Sequence, residues 1–281
     1  MKKRIIALVA ASLAIVACDS LNTTQKPLEP KVRVDASTTD DQKFSYMLGV
    51  QFGGPSFRNI AMQLGEYFDV DYLAQGVVDN AKALKDTNFK VQMPMDSMKV
   101  LDSRFAEVSA ERTKLARPDS ATEMSFKGDI MKLRAYVDSV MNTLPVKRPS
   151  VVTYGEVKLS GKSTDMQKYS YVMGTQLQTM FHGVEKQFDQ DFDGDFFLQG
   201  VRDACMNVLD TNFAVQMSND SIKAVNDRYV AKIRELMQKK REELMKQQAE
   251  AAAAQDSTNA PKDSAKTAET KAPAEAAADK K

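Results

Sequence analysis

The sequence contains one pattern twice, and this internal repeat constrains the fold more than any other feature. The stretch TDDQKFSYMLGVQ, which starts at Thr39, recurs as TDMQKYSYVMGTQ, which starts at Thr164. Further along, FDVDYLAQGVVDNA from Phe68 recurs as FDGDFFLQGVRDAC from Phe192, and DTNFKVQM from Asp86 recurs as DTNFAVQM. Self-similarity of this kind indicates a duplicated structural unit. We refer to the two units as copy one and copy two.

Each copy is predicted to form three helices, which places the chain in the all-α class. Apolar residues recur at intervals of three and four along each helix, the spacing of an amphipathic helix. The first helix of each copy begins at a Thr-Asp pair, and the third follows Pro94 in copy one and Ser218 in copy two. The predicted apolar faces comprise Phe44, Met47, Leu48, Phe52, Leu73, Val77, Ala81, Leu84, Met98, Leu101, Phe105 and Val108 in copy one, and Tyr169, Val172, Met173, Leu177, Met180, Phe181, Ile222, Val225, Tyr229, Ile233, Leu236 and Leu244 in copy two.

The third helix of copy two is expected to be longer than its counterpart, because its apolar stripe continues toward Ala254. A helix of about 35 residues is about 50 Å long. A helix of that length must project from a small bundle or pair with another helix. From about residue 256 the chain is rich in Ala, Lys, Glu, Pro, Ser and Thr, a composition that predicts disorder.

The segment between the copies is expected to hold one further helix. Ser120 and Glu123 have the spacing of a capping box, and Pro145 and Pro149 follow the helix. Its predicted apolar face is Ile130, Leu133, Val137, Val140 and Leu144. The alternation in VVTYGEVKL and in the equivalent KVRV of copy one also allows a short two-stranded β ribbon. The predicted segments are a leader (1–17), a flexible tether (18–31), copy one (32–116), a connecting helix and linker (117–156), copy two (157–255) and a tail (256–281).

The N-terminus has the composition of an export signal. A basic MKKR start precedes the run IIALVAASLAIVA, which is shorter than the ~20 apolar residues that span a bilayer as a helix. The run ends in I-V-A-C, which resembles the bacterial lipobox, with Cys18 as the lipidated residue. We therefore expect a cleaved leader, a lipid anchor at Cys18 and a place in the bacterial cell envelope, facing the periplasm or the exterior. The alternative is an ordinary signal peptide with an incidental cysteine.

Charge and side-chain chemistry give little support for nucleic-acid binding or catalysis. Without Lys2, Lys3 and Arg4 the chain is nearly neutral, and nothing indicates the concentrated basic surface that nucleic acid requires. The sole histidine is His182, and neither a nucleophile elbow nor a phosphate-binding loop occurs. Cys205 is expected to be a small buried residue. We therefore predict no catalytic residue, cofactor or metal.

The run FDQDFDGDFF in copy two resembles the first half of a calcium-binding loop. Counted from Asp189, the loop would need a bidentate glutamate at position 12, where the chain has Gly200. Only Asp193 and Asp195 have aspartate counterparts in copy one, which are Asp69 and Asp71. Asp71 and Asp195 lie in the first turn of a predicted helix, where negative charge suits the helix dipole. Asp69 and Asp193 precede that helix, where an aspartate caps the free backbone N–H groups. We therefore interpret Asp69 and Asp193 as helix N-caps, with a metal site as the alternative.

Four glycines lie inside predicted helices, where glycine costs about 1 kcal/mol relative to alanine. They occupy equivalent positions in the two copies, and they are Gly49, Gly76, Gly174 and Gly200. Glycines on facing helices let two backbones approach closely. We therefore predict that the first and second helices cross at these residues. The alternative is that these glycines only weaken their helices and that the fold tolerates them.

These motifs resemble those of one known family. The stretches QKFSYMLGVQFG and QKYSYVMGTQLQ, each followed by F-D-x-D-x-(Leu/Phe)-x-Q-G-V-x-D, are similar to the N-terminal domain of FKBP-type peptidyl-prolyl isomerases of the macrophage infectivity potentiator class. The resemblance covers about residues 38–116 and 163–246. It implies a helical domain that dimerises by interlacing its first two helices with those of a partner, and a long third helix that leads to a separate catalytic domain.

The resemblance also directs the functional expectation. No space for a catalytic FKBP domain follows either copy, so the family's catalytic residues are not carried over. Two copies in one chain imply that the interlaced dimer has become an intrachain pseudo-dimer, because a covalent link raises the effective concentration of the partner. We expect a non-catalytic folding factor that holds unfolded or partly folded envelope proteins. A structural envelope lipoprotein and an auxiliary part of a peptidyl-prolyl isomerase system are the alternatives.

The methionines allow two interpretations, since methionine fills irregular cores and also adapts to varied partners. Most are expected in the core, whereas those on the long third helix are candidates for client contact. Those on or near the apolar faces are Met47, Met173, Met180, Met206, Met217, Met237 and Met245.

Overall fold

The computed structural model describes residues 31–149, 152–210 and 212–258. Within these ranges the chain forms eight helices and no β-strand, so the predicted all-α class is confirmed. The helices are α1 (Asp40–Leu64), α2 (Val70–Lys85), α3 (Met95–Leu115), α4 (Ser120–Ser125), α5 (Ile130–Thr143), α6 (Asp165–Phe188), α7 (Gly194–Leu209) and α8 (Asn219–Thr258). The predicted leader, lipidation at Cys18, most of the tether and nearly all of the tail lie outside the described residues.

The two copies interlace. Copy one supplies α1 to α3 and copy two supplies α6 to α8, while α4 and α5 connect them. The main packing partner of α1 is α7, and that of α2 is α6, so the first helix of each copy packs along the second helix of the other. Helix α3 lies against α1 and α6, and α8 lies against α6 and α1. This arrangement is an intrachain pseudo-dimer.

Glycines make the helix crossings possible. A Cβ atom added to any of the four helical glycines would overlap a backbone carbonyl oxygen of the facing helix. The glycines and the carbonyls are Gly49 with Phe197 (2.2 Å), Gly76 with Tyr171 (2.1 Å), Gly174 with Leu73 (2.0 Å) and Gly200 with Tyr46 (2.1 Å). Each of these contacts joins copy one to copy two. The helix axes therefore come closer than any residue with a side chain would allow.

The N-caps of α2 and α7 also join the copies. Asp69 accepts the backbone N–H groups of Asp71 and Tyr72 at the start of α2, and Asp193 caps α7 in the same way. The second carboxylate oxygen of Asp69 accepts from the side chain of Gln167 (3.3 Å). Gln167 belongs to the other copy and to the capping box that begins α6. One aspartate thus starts its own helix and holds the first helix of the other copy.

Side chains from both copies form one core. Phe105 of α3 stacks on Tyr169 of α6, with ring centroids 4.2 Å apart, and Phe44 of α1 stacks on Tyr229 of α8 at 3.7 Å. All six repeat helices contribute buried apolar residues to this cluster. Each copy therefore covers the apolar faces of the other, and a separated copy would expose them to water.

The connecting segment differs from its prediction. It forms two helices rather than one, and Asp119 caps α4, so the expected capping box between Ser120 and Glu123 does not form. Lys127 and Gly128 have positive φ angles of 49° and 79°, which end the first of the two helices. On α5, Ile130 is exposed although it was expected on the apolar face, and Met141 is the residue buried against the body.

The predicted β ribbon is wrong for the described part of both segments. The backbone N–H of Val34 donates to Oε1 of Gln216 (2.8 Å), and that of Leu159 donates to Oε1 of Gln92 (2.7 Å). In each case the extended segment lies on the other copy, and a glutamine side chain takes the place of a neighbouring strand. Because these two N–H groups already have acceptors, they do not require hydrogen bonds between the two segments.

Candidate functional site

A buried polar cluster joins α1 to α7. The hydroxyl of Tyr46 donates to Oδ2 of Asp203 (2.7 Å) and accepts the backbone N–H of Gln216 (2.7 Å). The side-chain amides of Gln199 and Gln216 donate to Oδ1 and Oδ2 of Asp203, at 2.8 and 2.9 Å. We call these four residues the first clasp. Tyr46 belongs to copy one and the other three to copy two.

The same cluster occurs a second time with the copies exchanged. The hydroxyl of Tyr171 donates to Oδ2 of Asp79 (2.9 Å) and accepts the backbone N–H of Gln92 (2.8 Å). The side-chain amides of Gln75 and Gln92 donate to Asp79, both at 2.8 Å. These four residues form the second clasp. Two equivalent clasps hold each first helix to the other copy.

Burial sets the protonation of the clasp tyrosines. Asp79 and Asp203 are only 3% and 2% exposed, so each carboxylate relies on its three donors in place of water. Burial, and then the charge of Asp203, raises the pKa of Tyr46 above its ordinary value. Burial raises the pKa of Tyr171 as well, and its hydrogen bond to Asp79 acts in the same direction. Both hydroxyls therefore remain protonated donors at physiological pH.

The free energy of unfolding is expected to fall as the pH rises above about 10, the ordinary pKa of tyrosine. A tyrosine with a raised pKa keeps its proton in the folded chain after the unfolded chain has begun to lose it, so alkaline pH favours unfolding. Each clasp tyrosine can lower the free energy of unfolding by up to about 1.4 kcal/mol for each pH unit above its ordinary pKa. Urea unfolding from about pH 8 to about pH 11.5 measures this loss. A Tyr46→Phe/Tyr171→Phe variant should lose less with pH, and an equal loss in both proteins would contradict the prediction.

A third polar cluster fixes the linker to copy one. The buried carboxylate of Asp71 accepts the backbone N–H groups of Thr153 and Tyr154 and the hydroxyl of Thr153, each at 2.7 Å. The ring of Tyr154 lies 5.6 Å from the buried guanidinium of Arg202, whose pKa is lowered by burial. Asp195, the counterpart of Asp71 in copy two, is exposed. This cluster serves the connection between the copies.

The surface beside α3 contains two cavities, which we call together the α3 groove. The first has a volume of about 440 Å³ and the second of about 260 Å³. Apolar side chains line both: Met93, Val100, Leu101 and Leu159 in the first, and Leu64, Phe105, Val108 and Met166 in the second. The ion pair between Arg104 and Asp165 borders both cavities. Polar side chains complete both linings, among them Lys168 in the first cavity and the ion pair of Glu66 and Lys147 in the second. The α3 groove is therefore a mixed apolar and charged surface.

The surface beside α8 is built differently at the equivalent positions. Val100 is 71% exposed and Val108 is 38% exposed, whereas copy two has Ala224 and Lys232 there. The ammonium group of Lys232 lies 5.4 Å from the centroid of the Tyr229 ring and donates to Gln190 (3.0 Å). Copy two thus places a small side chain and a charge where copy one exposes two valines.

The second half of α8 extends beyond the body. Leu236 still packs against the core, but every described side chain from Met237 to Glu250 is exposed. Met47 and Met217 are buried in the core, as expected for gap-filling methionines, whereas Met180 is exposed. Met237 and Met245 of α8 are exposed beside Gln238, Arg241, Glu242 and Lys246.

His182 and Cys205, the two residues whose side chains could take part in catalysis, have contacts that explain them structurally. Nδ1 of His182 lies 2.9 Å from a carboxylate oxygen of Glu185 one turn along the same helix. Cys205 is buried, and burial raises the pKa of its thiol, which keeps it unreactive. In the part of the chain that the structure describes, no three acidic, cysteine or histidine residues are grouped to hold a metal ion. The buried polar groups of the clasps serve the interlaced fold.

The clasp residues were missed by the sequence reasoning. A signal for them existed, because each is identical in the two copies: Tyr46 and Tyr171, Gln75 and Gln199, Asp79 and Asp203, Gln92 and Gln216. Identical polar residues inside otherwise apolar helices indicate a shared buried role.

No protein-family model, no curated protein and no solved structure matches the chain. Of the helices in the described ranges, none combines the length and the apolar composition needed to cross a membrane.

Proposed function

We propose that this protein is a lipid-anchored, non-catalytic folding factor of the bacterial cell envelope. It holds unfolded or partly folded envelope proteins through apolar surfaces of an intrachain pseudo-dimer related to the N-terminal domain of FKBP-type isomerases. The observation that carries the proposal is the pair of exposed valines, Val100 and Val108, at the edge of the α3 groove on a body whose repeat helices are interlaced. The N-terminal sequence with Cys18 supports the anchor.

Two exposed valines mark the α3 groove as a surface for clients. Val100 is 71% exposed and Val108 is 38% exposed, while Met93 and Met166 beneath them belong to the buried core. Exposed apolar patches on soluble surfaces mark sites of interaction with other proteins or membranes. The interlaced core supports this surface on both sides, because α3 packs against α1 of its own copy and α6 of the other. The groove can therefore hold a client without rearranging its own fold.

The alternatives have different consequences. A structural envelope lipoprotein would use the long α8 and the tail as spacers, and the α3 groove would have no client. An auxiliary part of a peptidyl-prolyl isomerase system would act on proline-limited folding together with a separate catalytic protein. Suppression of client aggregation separates the first alternative from our proposal, and acceleration of a proline-limited refolding reaction identifies the second.

Replacing Val100 and Val108 with lysine should abolish most of the aggregation suppression. Both side chains lie on the exposed edge of the α3 groove, so the charges block apolar contacts without entering the core. We expect at least about a tenfold rise in the concentration needed to suppress light scattering from a chemically denatured client, since about 1.4 kcal/mol of lost binding corresponds to a factor of ten. The protein tested is the unlipidated chain from residue 19 onward.

The repeat supplies a matched control. Ala224→Lys places the same charge at the position in copy two that corresponds to Val100, and it should leave suppression unchanged. A Met237→Lys/Met245→Lys variant measures how much of the aggregation suppression depends on the exposed methionines of α8. Equal activity of the wild type and the Val100→Lys/Val108→Lys variant would contradict a role for the groove. No suppression by the wild type would favour the structural lipoprotein.

A further inference from the structure

Helix α1 has a weak point near its middle, where the run GGP extends from Gly53 to Pro55. Glycine and proline are the least favourable residues in the interior of a helix. Because proline has no backbone N–H, the carbonyl oxygen of Gln51 has no donor at the usual position four residues further on. Helix α6 has the run QTM from Gln178 at this point and contains no proline. The weak point therefore belongs to copy one.

Helix α1 also has one residue more than α6. Both helices begin directly after equivalent threonines and end at the same distance before the equivalent residues Phe68 and Phe192, but α1 has 25 residues and α6 has 24. The two motifs keep the same register as far as Gln51 and Gln176, so the extra residue lies beyond Gln51. One added residue turns the following part of a helix by about 100° around its axis. The second half of α1 is therefore not a regular continuation of the repeat.

The two halves of α1 are held by different contacts. In the first half, Tyr46 belongs to the first clasp and Gly49 crosses α7. In the second half, Phe57 packs on Phe68 of the same copy, with ring centroids 4.6 Å apart. Bending at Gly53–Pro55 would therefore move the second half and leave the first clasp intact.

Arg112 of α3 fastens the end of α1. Its Nε donates to the carbonyl oxygen of Met62 (2.6 Å), and its Nη2 donates to the carbonyl oxygen of Pro145, which follows α5 (2.7 Å). Met62 lies in the last turn of α1, where carbonyl groups have no donor within the helix. One side chain thus joins the ends of α1 and α5 to α3. Copy two has Leu236 at the position of Arg112, so it has no guanidinium there.

The end of α1 forms one side of the second cavity of the α3 groove. Leu64 and Glu66 line the cavity from that end, whereas Phe105 and Val108 line it from α3. Phe105 and Met166, which also line it, are only 8% and 6% exposed. A movement of the end of α1 away from α3 would therefore widen the cavity and expose these apolar side chains.

We propose that the end of α1, residues 57–67, is a lid on the α3 groove. The lid opens about a hinge at Gly53–Pro55, and Arg112 is the latch that keeps it closed. The closed protein offers clients the exposed Val100 and Val108, and opening adds the apolar side chains beneath the second cavity. This inference rests on the proposed function and names the device that regulates its site.

Hydrogen–deuterium exchange followed by mass spectrometry tests the opening on the unlipidated chain from residue 19 onward. Amides that open locally exchange faster than amides that open only when the whole protein unfolds. The amides of residues 57–64 should exchange at least about tenfold faster than those of residues 181–188, the equivalent stretch of α6. Equal exchange in the two stretches would overturn the inference.

Two variants should change this exchange in opposite directions. Arg112→Met removes the latch and should speed exchange at residues 57–64 several-fold, with residues 181–188 unchanged. Gly54→Ala/Pro55→Ala restores the helix and should slow exchange, since a Cβ at residue 54 would meet only the side chain of Ala204, at 3.6 Å. Lys114→Met changes an exposed side chain of α3 and is the matched control without effect. Equal acceleration of both stretches by Arg112→Met would indicate global destabilisation and would also overturn the lid.

The aggregation assay connects the lid with clients. Arg112→Met should lower the protein concentration that suppresses light scattering several-fold, and Gly54→Ala/Pro55→Ala should raise it. If neither variant alters suppression while Val100→Lys/Val108→Lys abolishes it, the proposed function stands and this inference is overturned. If the wild type suppresses no aggregation, the proposed function fails, whereas fast exchange at residues 57–64 that responds to Arg112→Met still supports the lid.

Discussion

The Gly174→Ala variant is expected to lose about 3 kcal/mol or more of unfolding free energy, the upper end of the usual cost of overpacking. The added Cβ atom would lie 2.0 Å from the carbonyl oxygen of Leu73 and 3.0 Å from the Cα atom of Gly76. Both atoms belong to the backbone of α2, so no side-chain rotation can relieve the overlap. Helices α2 and α6 must move apart, and the contacts of the second clasp lengthen with them. Urea unfolding followed by circular dichroism measures the loss.

Gly183→Ala is the matched control for this prediction. Gly183 lies in the same helix, is exposed, and has no atom within 4 Å of a Cβ placed on it. The substitution should therefore stabilise the protein by about 0.5–1 kcal/mol, the difference in helix propensity between alanine and glycine. A similar stabilisation by Gly174→Ala would show that α2 and α6 do not cross at this residue. Destabilisation by both would attribute the effect to the helix rather than to the crossing.

The Asp203→Ala variant is expected to lose at least about 3 kcal/mol, since three buried donors lose their acceptor and each unsatisfied group costs about 1–3 kcal/mol. The donors are the hydroxyl of Tyr46 and the side-chain amides of Gln199 and Gln216. Water does not replace the carboxylate readily, because Asp203 and Tyr46 are both buried. The free energy of unfolding by urea measures the loss.

A double-mutant cycle shows that this loss arises between the copies. Tyr46→Phe and Asp203→Ala should be coupled by about 1–2 kcal/mol, because each removes the same hydrogen bond. The pair Tyr171→Phe and Asp203→Ala belongs to different clasps and should be additive within about 0.5 kcal/mol. Additivity of Tyr46→Phe with Asp203→Ala would contradict a clasp between α1 and α7. Coupling across the two clasps would indicate one cooperative network instead.

The clasps and the crossing glycines explain why the two copies are held in one chain. In each clasp the tyrosine hydroxyl of one copy pairs with an aspartate and a backbone N–H of the other copy, and each crossing glycine faces the backbone of the other copy. A copy alone would leave these groups unpaired and its apolar faces exposed. The connection through α4 and α5 ensures that the partner is always present at a high effective concentration.

Local rules predicted much of this fold. The spacing of the apolar residues gave the six repeat helices, and Asp69 and Asp193 cap α2 and α7 in the structure. The same rules were less successful in the connecting segment, where Lys127 and Gly128 adopt positive φ angles that divide the expected helix. Gly128, which favours positive φ, and Asp129, which caps α5, are local signals for that break, and the apolar spacing alone did not include them.

The exposure of Val100 and Val108 in the α3 groove could not be predicted from the sequence. Val100 could be read as a tolerated surface valine, and Val108 was expected on the apolar face of its helix. Their exposure depends on where α6 of the other copy lies against α3, and the helical period of α3 alone does not contain that information. The equivalent positions of copy two hold Ala224 and Lys232, so the exposed valines are a feature of α3 and not of both copies.

The amino-acid sequence by itself determined the duplication, the helical class, the capped helix starts and the glycines at which backbones can meet, because each depends on residues close together in the chain. Only the tertiary structure decided that tyrosine, aspartate and glutamine form two buried clasps between the copies, and that the extended segments bind glutamine side chains instead of each other. These features depend on atoms more than a hundred residues apart in the case of the first clasp. Hydrogen-bond partners at such separations are chosen by packing, which a local pattern does not specify.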